Sequence, residues 1–144
     1  MSLNSVVMPV SPERVFEYLL DPDTYPRWLI GAETMRAVDD DWPAPGSRFH
    51  HRVGMWPVRI EDYSEIVELD PPRMLHLSVR ASPIIRADVT FRCRGDDRES
   101  ILIIEEEPVY RSMGNLVRPV LDPATHLRNH GSLRKLRDII LEDA

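Results

Sequence analysis

The stretch SPERVFEYLLDPDTYPRWLI, residues 11–30, decides the fold that the sequence predicts. Ser11 followed by Pro12 is typical of a helix start. The serine side chain accepts a hydrogen bond from a first-turn amide, and the amide hydrogen that proline lacks would have no partner in the first turn. Asp21-Pro22 repeats this start signal, so we expect a second short helix that ends at Gly31. The apolar residues of the first helix recur at helical spacing, at Val15, Phe16, Leu19 and Leu20.

After Gly31 the apolar pattern changes from helical to alternating, which predicts β-strands. The predicted strands cover residues 32–38, 46–55, 58–69, 74–81, 85–94 and 100–107. A phase change within the third of these predicts a β-bulge near Asp62-Tyr63. Gly95-Asp96-Asp97 predicts a hairpin between the last two strands, and short connections throughout predict an antiparallel meander.

The last third of the chain returns to a helical pattern, from about Ser112 to Leu141. Pro119 and Pro123 interrupt its first half, and each proline removes an amide donor. We therefore expect a bend or break there and a regular helix from about Pro123 to Leu141.

Composition limits the class of protein. The 144 residues are enough for one domain and one core, and the net charge of -6 disfavours nucleic acid as a partner. Cys93 is the single cysteine, so no internal disulfide is expected. No apolar run is long enough to span a membrane and no signal peptide is evident, so we expect a cytoplasmic protein without integral membrane association. Whether it is a monomer or a homodimer stays open.

In order and spacing, these elements resemble the START-like (SRPBCC, Bet v 1-like) superfamily of helix-grip proteins, in the branch of polyketide cyclases/dehydrases and lipid-transport proteins. The segments that carry the resemblance are residues 11–16, 21–22, 25–28, 45–47, 70–75, 105–108 and 132–136. The resemblance implies an α+β fold, in which a curved antiparallel sheet of six to seven strands wraps around a long C-terminal helix and two short helices close one end. It also implies an apolar cavity between that helix and the sheet.

Two polar residues fall in the predicted inward phase of their strands. Glu106 continues the phase of Leu102 and Ile104, where burial would favour the neutral form that a general acid or base near neutral pH uses. The structural alternative is a carboxylate that is solvated or paired with an arginine. His51 shares the phase of Phe49, which leaves His50 outside, and it is either a ligand-binding imidazole or a satisfied structural histidine.

His126 and His130 stand four apart on the last helix, a spacing that can bind zinc, but no third ligand is evident. We therefore predict no metal and no cofactor. Trp28 and Tyr25 are expected near the rim of the cavity, as a gate, while Trp28, Trp42 and Trp56 equally suit a role in capping the core. The predicted ligand-binding residues are Trp28, Phe49, Tyr63, Leu77, Val89, Phe91, Leu102, Ile104, Tyr110, Leu127 and His130.

Three functional hypotheses follow. The favoured one is a binder or carrier of a small hydrophobic molecule such as a lipid, a polyketide or an isoprenoid, because no catalytic triad, phosphate loop or metal motif is present. The second is an aromatase/cyclase-like enzyme in which His51 and Glu106 transfer protons. The third is a protein-interaction module of the chaperone-activator kind. The sequence leaves open whether the protein is an enzyme.

Overall fold

The computed structural model describes the backbone of residues 2–30, 32–55, 58–80, 85–110 and 114–143, and the side chains of residues 2–30, 37–50, 63–80, 86–109 and 123–143. The strands are β1 (Ser2–Met8), β2 (Ala32–Val38), β3 (Arg48–Met55), β4 (Val58–Asp70), β5 (Met74–Arg80), β6 (Ile85–Gly95) and β7 (Ser100–Tyr110). The α-helices are α1 (Pro12–Leu19), α2 (Tyr25–Trp28) and α3 (Gly114–Glu142), and a 3-10 turn, Pro22–Thr24, precedes α2.

The seven strands form one antiparallel sheet in the order β1-β7-β6-β5-β4-β3-β2. Strands β2 to β7 form a meander, and β1 is the edge strand next to β7, at the opposite edge of the sheet from β2. Helix α3 packs against β1 and against α2. The predicted helix-grip fold is confirmed.

The helix starts at the N-terminal end form as the sequence predicts. Ser11 Oγ accepts a hydrogen bond from the Arg14 amide at 3.3 Å, and Asp21 Oδ1 accepts one from the Asp23 amide at 3.1 Å. Both caps supply a partner to an amide that the first turn leaves free. The two proline-punctuated turns therefore follow from local chemistry.

The core lies between α3, the short helices and the inner face of the sheet. Leu133, Leu136 and Ile140 of α3 are almost fully buried. The helix is held against the end of α2 by Ser132 Oγ, which accepts a hydrogen bond from the Ile30 amide at 3.0 Å. Large apolar side chains thus fill the end of the fold that α1 and α2 close.

The predicted bulge near Asp62-Tyr63 is wrong in position. Strand β4 pairs with β3 without a register shift from Val58 to Glu65, whereas its pairing with β5 shifts between Ile66 and Glu68. Ile66 and Leu69 are three residues apart, yet they pair with Leu77 and Leu75 of one face, so the extra residue in the ladder is what brings both to the inner face. The phase change that the sequence shows is real, but it occurs about four residues later than predicted.

Of the predicted bend or break in the last helix, the break is wrong. Helix α3 runs for 29 residues from Gly114 to Glu142, across both Pro119 and Pro123. Each proline removes one backbone hydrogen bond, and a helix of this length retains its other bonds and its packing against β1 and α2. The proline rule is local and takes no account of that support.

Strand β7 extends three residues beyond the predicted end, through Pro108 to Tyr110. Pro108 pairs with Ala87 of β6 on one side, while the register with β1 ends at Glu106 on the other. A proline is compatible with a strand where its missing amide faces an unpaired side. Among the described residues, no position of β1 pairs with Pro108, so its missing amide is tolerated there.

Candidate functional site

The inner face of the sheet is built by aligned rows across β5, β6 and β7. One row joins Leu75, Phe91 and Ile104, and the next joins Leu77, Val89 and Glu106. The inner-face residues that the sequence nominates as ligand-binding are all buried here: Leu77, Val89, Phe91, Leu102 and Ile104. The alternation of the sequence therefore identifies the correct face for each of them.

Burial along this face changes beyond Glu106. Leu75 and Phe91 are at most 3% exposed. Two rows further along, Val79 and Ala87 pair across the same strands and are only half-buried, although their phase is inward. The inner face is therefore tightly covered at the α1 and α2 end, whereas past Glu106 the side chains of Val79 and Ala87 are partly exposed and Pro108 of the same row is buried.

An aromatic cluster closes the covered end. Trp28 is 1% exposed and makes edge-to-face contacts with Tyr25, at 5.1 Å between ring centroids, and with Phe91, at 6.3 Å. Phe49 makes similar contacts with Tyr25 and Trp42. Trp28 and Tyr25 thus lie inside the core rather than at the rim of a cavity. For Trp28 this agrees with the alternative prediction from the sequence, in which it caps the core. Trp56 lies outside the described residues.

Glu106 lies on the inner face and is paired with an arginine. Glu106 as a whole is 7% exposed, and Arg128 Nη2 donates hydrogen bonds to its Oε1 at 2.6 Å and to its Oε2 at 2.8 Å. Arg128 reaches the carboxylate from α3, so the contact bridges the helix and the sheet. This is the structural alternative that the sequence leaves open for Glu106.

Asn129, the neighbour of Arg128 on α3, is fully buried and incompletely bonded. Its Oδ1 accepts from Arg128 Nε at 3.3 Å and from Nη2 at 3.1 Å. Its Nδ2 is the one buried side-chain polar atom found without a hydrogen-bond partner in the described part of the chain. A buried amide donor left without an acceptor costs about 1–3 kcal/mol.

Two residues of β1 complete a polar group between helix and strand. Ser2 Oγ donates to Asn4 Oδ1 at 3.1 Å, and Asn4 Nδ2 donates to the His126 carbonyl of α3 at 3.1 Å. We call the set of Ser2, Asn4, Glu106, Arg128 and Asn129, of which all but Arg128 are buried, the polar seam. It crosses the helix–sheet contact midway between the closed end and the start of α3.

The remaining predicted site residues do not join the seam. Tyr63 lies on the outer face, where the guanidinium of Arg48 stands 4.2 Å from its ring centroid and His50 makes an edge contact at 6.2 Å. The late position of the bulge explains this correction, because Tyr63 keeps the outward phase next to buried Ser64. The side chains of His51 and Tyr110 lie outside the described residues.

Leu127 and His130 occupy the outer flank of α3. Leu127 is 72% exposed, and the exposed His130 lines an open groove of about 310 Å³ between α3 and β1, together with Val6 and Arg134. The helical period accounts for both, because Asn129 and Leu133 set the inward direction. Neither side chain faces the interior as predicted.

The sequence reasoning missed Arg128, Asn129, Ser2 and Asn4. A usable signal was present for Asn129, which stands one helical turn before Leu133 and therefore continues the apolar stripe with a polar residue. For Arg128 the sequence offers no comparable signal, since its partner is 22 positions away on another element.

The described residues also bear on metals and membranes. Within the part of the chain that the structure describes, no three histidine, cysteine or acidic side chains are grouped so as to hold a metal ion. No helix among the described residues is long and apolar enough to cross a membrane.

Comparison with known proteins decides the family. The family model described as "Polyketide cyclase / dehydrase and lipid transport" matches residues 4–139. The chain belongs to this family. No curated protein matches it by sequence.

Solved structures of the same fold are distant in sequence. The chain is similar to a protein of Thermus thermophilus, with 16% identity, a TM-score of 0.74 and coverage of 99% of this chain and 98% of the other. It is similar to the Zhui aromatase/cyclase of a Streptomyces species, with 16% identity, a TM-score of 0.77 and coverage of 96% and 91%. Ara h 8.0201 matches with 11% identity, a TM-score of 0.76 and coverage of 97% and 96%. At these identities the likeness establishes the shared fold alone.

Proposed function

We propose that this member of the family binds a small hydrophobic molecule, of the lipid, polyketide or isoprenoid kind, between α3 and the inner face of the sheet. The observation that carries the proposal is the change in burial along that face. Val79 and Ala87 point inward yet remain half-buried, whereas the rows nearer α1 and α2 are closed. Inward apolar side chains that pack against the core and that the protein covers only in part suit the wall of a ligand site.

The polar seam supports a site with one polar end. Glu106 and Arg128 neutralise each other at 2.6 Å, so the seam places hydrogen-bonding groups at the boundary of the apolar face without a net charge. A hydrophobic molecule that carries one or a few oxygen atoms matches this arrangement, because apolar area supplies affinity and the few polar groups fix orientation.

The cyclase hypothesis requires Glu106 to transfer a proton, together with His51. Both carboxylate oxygens of Glu106 accept from Arg128, which assigns the residue to the contact between helix and sheet. We therefore favour binding over catalysis for this site. The chaperone-activator hypothesis has no feature among the described residues that favours it.

The first test is chemical. Protein purified from its native source under mild conditions is extracted with organic solvent, and the extract is analysed by mass spectrometry. We expect an apolar compound in a stoichiometric amount. The apo protein is then titrated with N-phenyl-1-naphthylamine, an apolar fluorescent probe, and we expect saturable binding.

A space-filling variant locates the binding. Ala87→Trp places a large side chain on the open part of the inner face, and we expect the affinity for the probe to fall at least about tenfold. Val109→Trp is the matched control, because Val109 is exposed on the neighbouring strand β7. Equal affinity of the wild type and both variants, with the fold retained by circular dichroism, would overturn the proposed location.

A further inference from the structure

The geometry points to Asn129 Nδ2 as the hydrogen-bond donor that holds a neutral oxygen, a carbonyl or a hydroxyl, of the bound hydrophobic molecule. This inference rests on the proposed function and names the chemistry of its ligand. It starts from the one buried donor that the described part of the chain leaves without an acceptor.

The orientation of the amide is fixed by its neighbour. Arg128 donates to Asn129 Oδ1 through both Nε and Nη2, so the carbonyl side of the amide faces the guanidinium. A guanidinium has only donors, which means that the opposite orientation would set donor against donor. The Nδ2 group is therefore turned away from Arg128 and has to find its acceptor elsewhere.

Side chains of a helix tilt towards its N-terminus, so the side chain of Asn129 leans away from the closed end of the fold. Asn129 precedes Leu133 by one helical turn on the buried side of the helix, and Leu133, Leu136 and Ile140 fill the closed end. Buried side-chain donors in native proteins nearly always have a partner. An oxygen atom of a ligand lying past Glu106 would supply the missing one.

The charges of the seam determine what kind of oxygen fits. The cation of Arg128 is already bound by Glu106, and the carboxylate of Glu106 would repel a second anion at this place. A carboxylate or phosphate head group is therefore disfavoured. A ketone, an ester carbonyl or a hydroxyl accepts from Nδ2 without bringing charge into a buried site.

Two fluorescent probes test this chemistry directly. Prodan is a naphthalene that carries one ketone, while N-phenyl-1-naphthylamine is a naphthalene without oxygen. We expect wild-type protein to bind both, and Asn129→Leu, which matches asparagine in size, to weaken Prodan binding about tenfold while N-phenyl-1-naphthylamine binding stays within about twofold. In the wild type the emission of bound Prodan should be red-shifted relative to that of Prodan bound to the variant, because the ketone is hydrogen-bonded.

Two further variants separate this role from a structural one. Asn129→Asp keeps Oδ1 for Arg128 and replaces the donor with a second, negatively charged acceptor oxygen, so it should also discriminate against the ketone of Prodan. Ser132→Ala is the matched control: Ser132 is fully buried on the same helix, and its hydroxyl is already bonded to the Ile30 amide. We expect it to lower stability and leave the ratio of the two affinities unchanged.

The possible outcomes are distinct. Equal effects of the Asn129 variants on both probes, or no effect on either, would mean that Nδ2 does not bond the ligand, and would overturn this inference while the proposed function stands. No saturable binding of either probe to the wild type would overturn both. If Asn129→Leu does not fold, the affinity ratio in Asn129→Asp and the emission of Prodan in the wild type decide.

Discussion

Replacing Arg128 with methionine is expected to lower the free energy of unfolding by about 2–4 kcal/mol, because Glu106 would remain buried without its cation. The side chain of Glu106 is 9% exposed, whereas that of Arg128 is 40% exposed. The two partners of this ion pair therefore differ in what happens when the other is removed. The difference makes the prediction specific.

The magnitude follows from that asymmetry. Breaking a fully buried ion pair costs about 3–5 kcal/mol, and partial exposure of Arg128 reduces this through solvent screening. The loss of the arginine also leaves Asn129 Oδ1 without its donors. Glu106→Gln, in contrast, leaves a guanidinium that water can reach, so we expect a cost of only about 1 kcal/mol.

Urea unfolding followed by circular dichroism at neutral pH measures these values, in the single variants and in the double variant. We expect the double variant Glu106→Gln/Arg128→Met to be more stable than Arg128→Met alone, since no buried charge remains. Arg134→Met, an exposed arginine of the same helix, is the control and should change stability by less than about 0.5 kcal/mol. A cost of Glu106→Gln equal to or above that of Arg128→Met would refute the reasoning.

Two further predictions concern the ends of the fold and its tightest turn. The hydrogen bonds from Arg27 and from Tyr18 lower the pKa of Asp143 below 3.8, so the stability that they supply is present above pH 3.8 and is lost as the pH falls through the folded-state pKa. Asp143→Asn should therefore be less stable than the wild type at pH 7, and its stability should fall less steeply between about pH 5 and 2. A stability profile in acid that matches that of the wild type would contradict this. Gly95→Ala would place Cβ in steric overlap with the Glu99 carbonyl oxygen and should lower the free energy of unfolding in urea by about 1–3 kcal/mol. In Gly131→Ala the new Cβ meets only the side-chain end of Ile30, so its stability should be close to that of the wild type. Equal costs of the two variants would show that the hairpin relaxes around the Cβ added at Gly95.

The sequence predicts the fold well because most of its signals are local. Ser11 caps α1 and Asp21 caps the 3-10 turn before α2 through atoms two or three residues away, and strand β2 has the predicted bounds. The errors arise where the outcome depends on distant partners. The bulge is placed by the pairing of β4 with β5, and the continuity of α3 across Pro119 depends on its tertiary support.

The candidate site was only partly predictable for the same reason. Alternation places Glu106 on the inner face, since it needs only the phase of Ile104. The identity of its partner depends on how α3 is rotated against the sheet, which the sequence leaves undetermined. The contacts of Ser2 with His126 join positions 124 residues apart, and no local pattern encodes them.

The interior position of Trp28 argues against the predicted gate and bears on how a ligand would enter. Its indole donates to Thr24 Oγ1 at 3.2 Å and its ring contacts Tyr25 and Phe91, so swinging it outward would expose a residue whose burial is worth about 3–5 kcal/mol. The short helix α2 is therefore a wall. Because the same end is filled by Leu133 and Ile140, we expect the proposed ligand to enter on the other side of the polar seam, near Ala87. The segment that decides the fold and the expected place of ligand entry are then at opposite ends of α3.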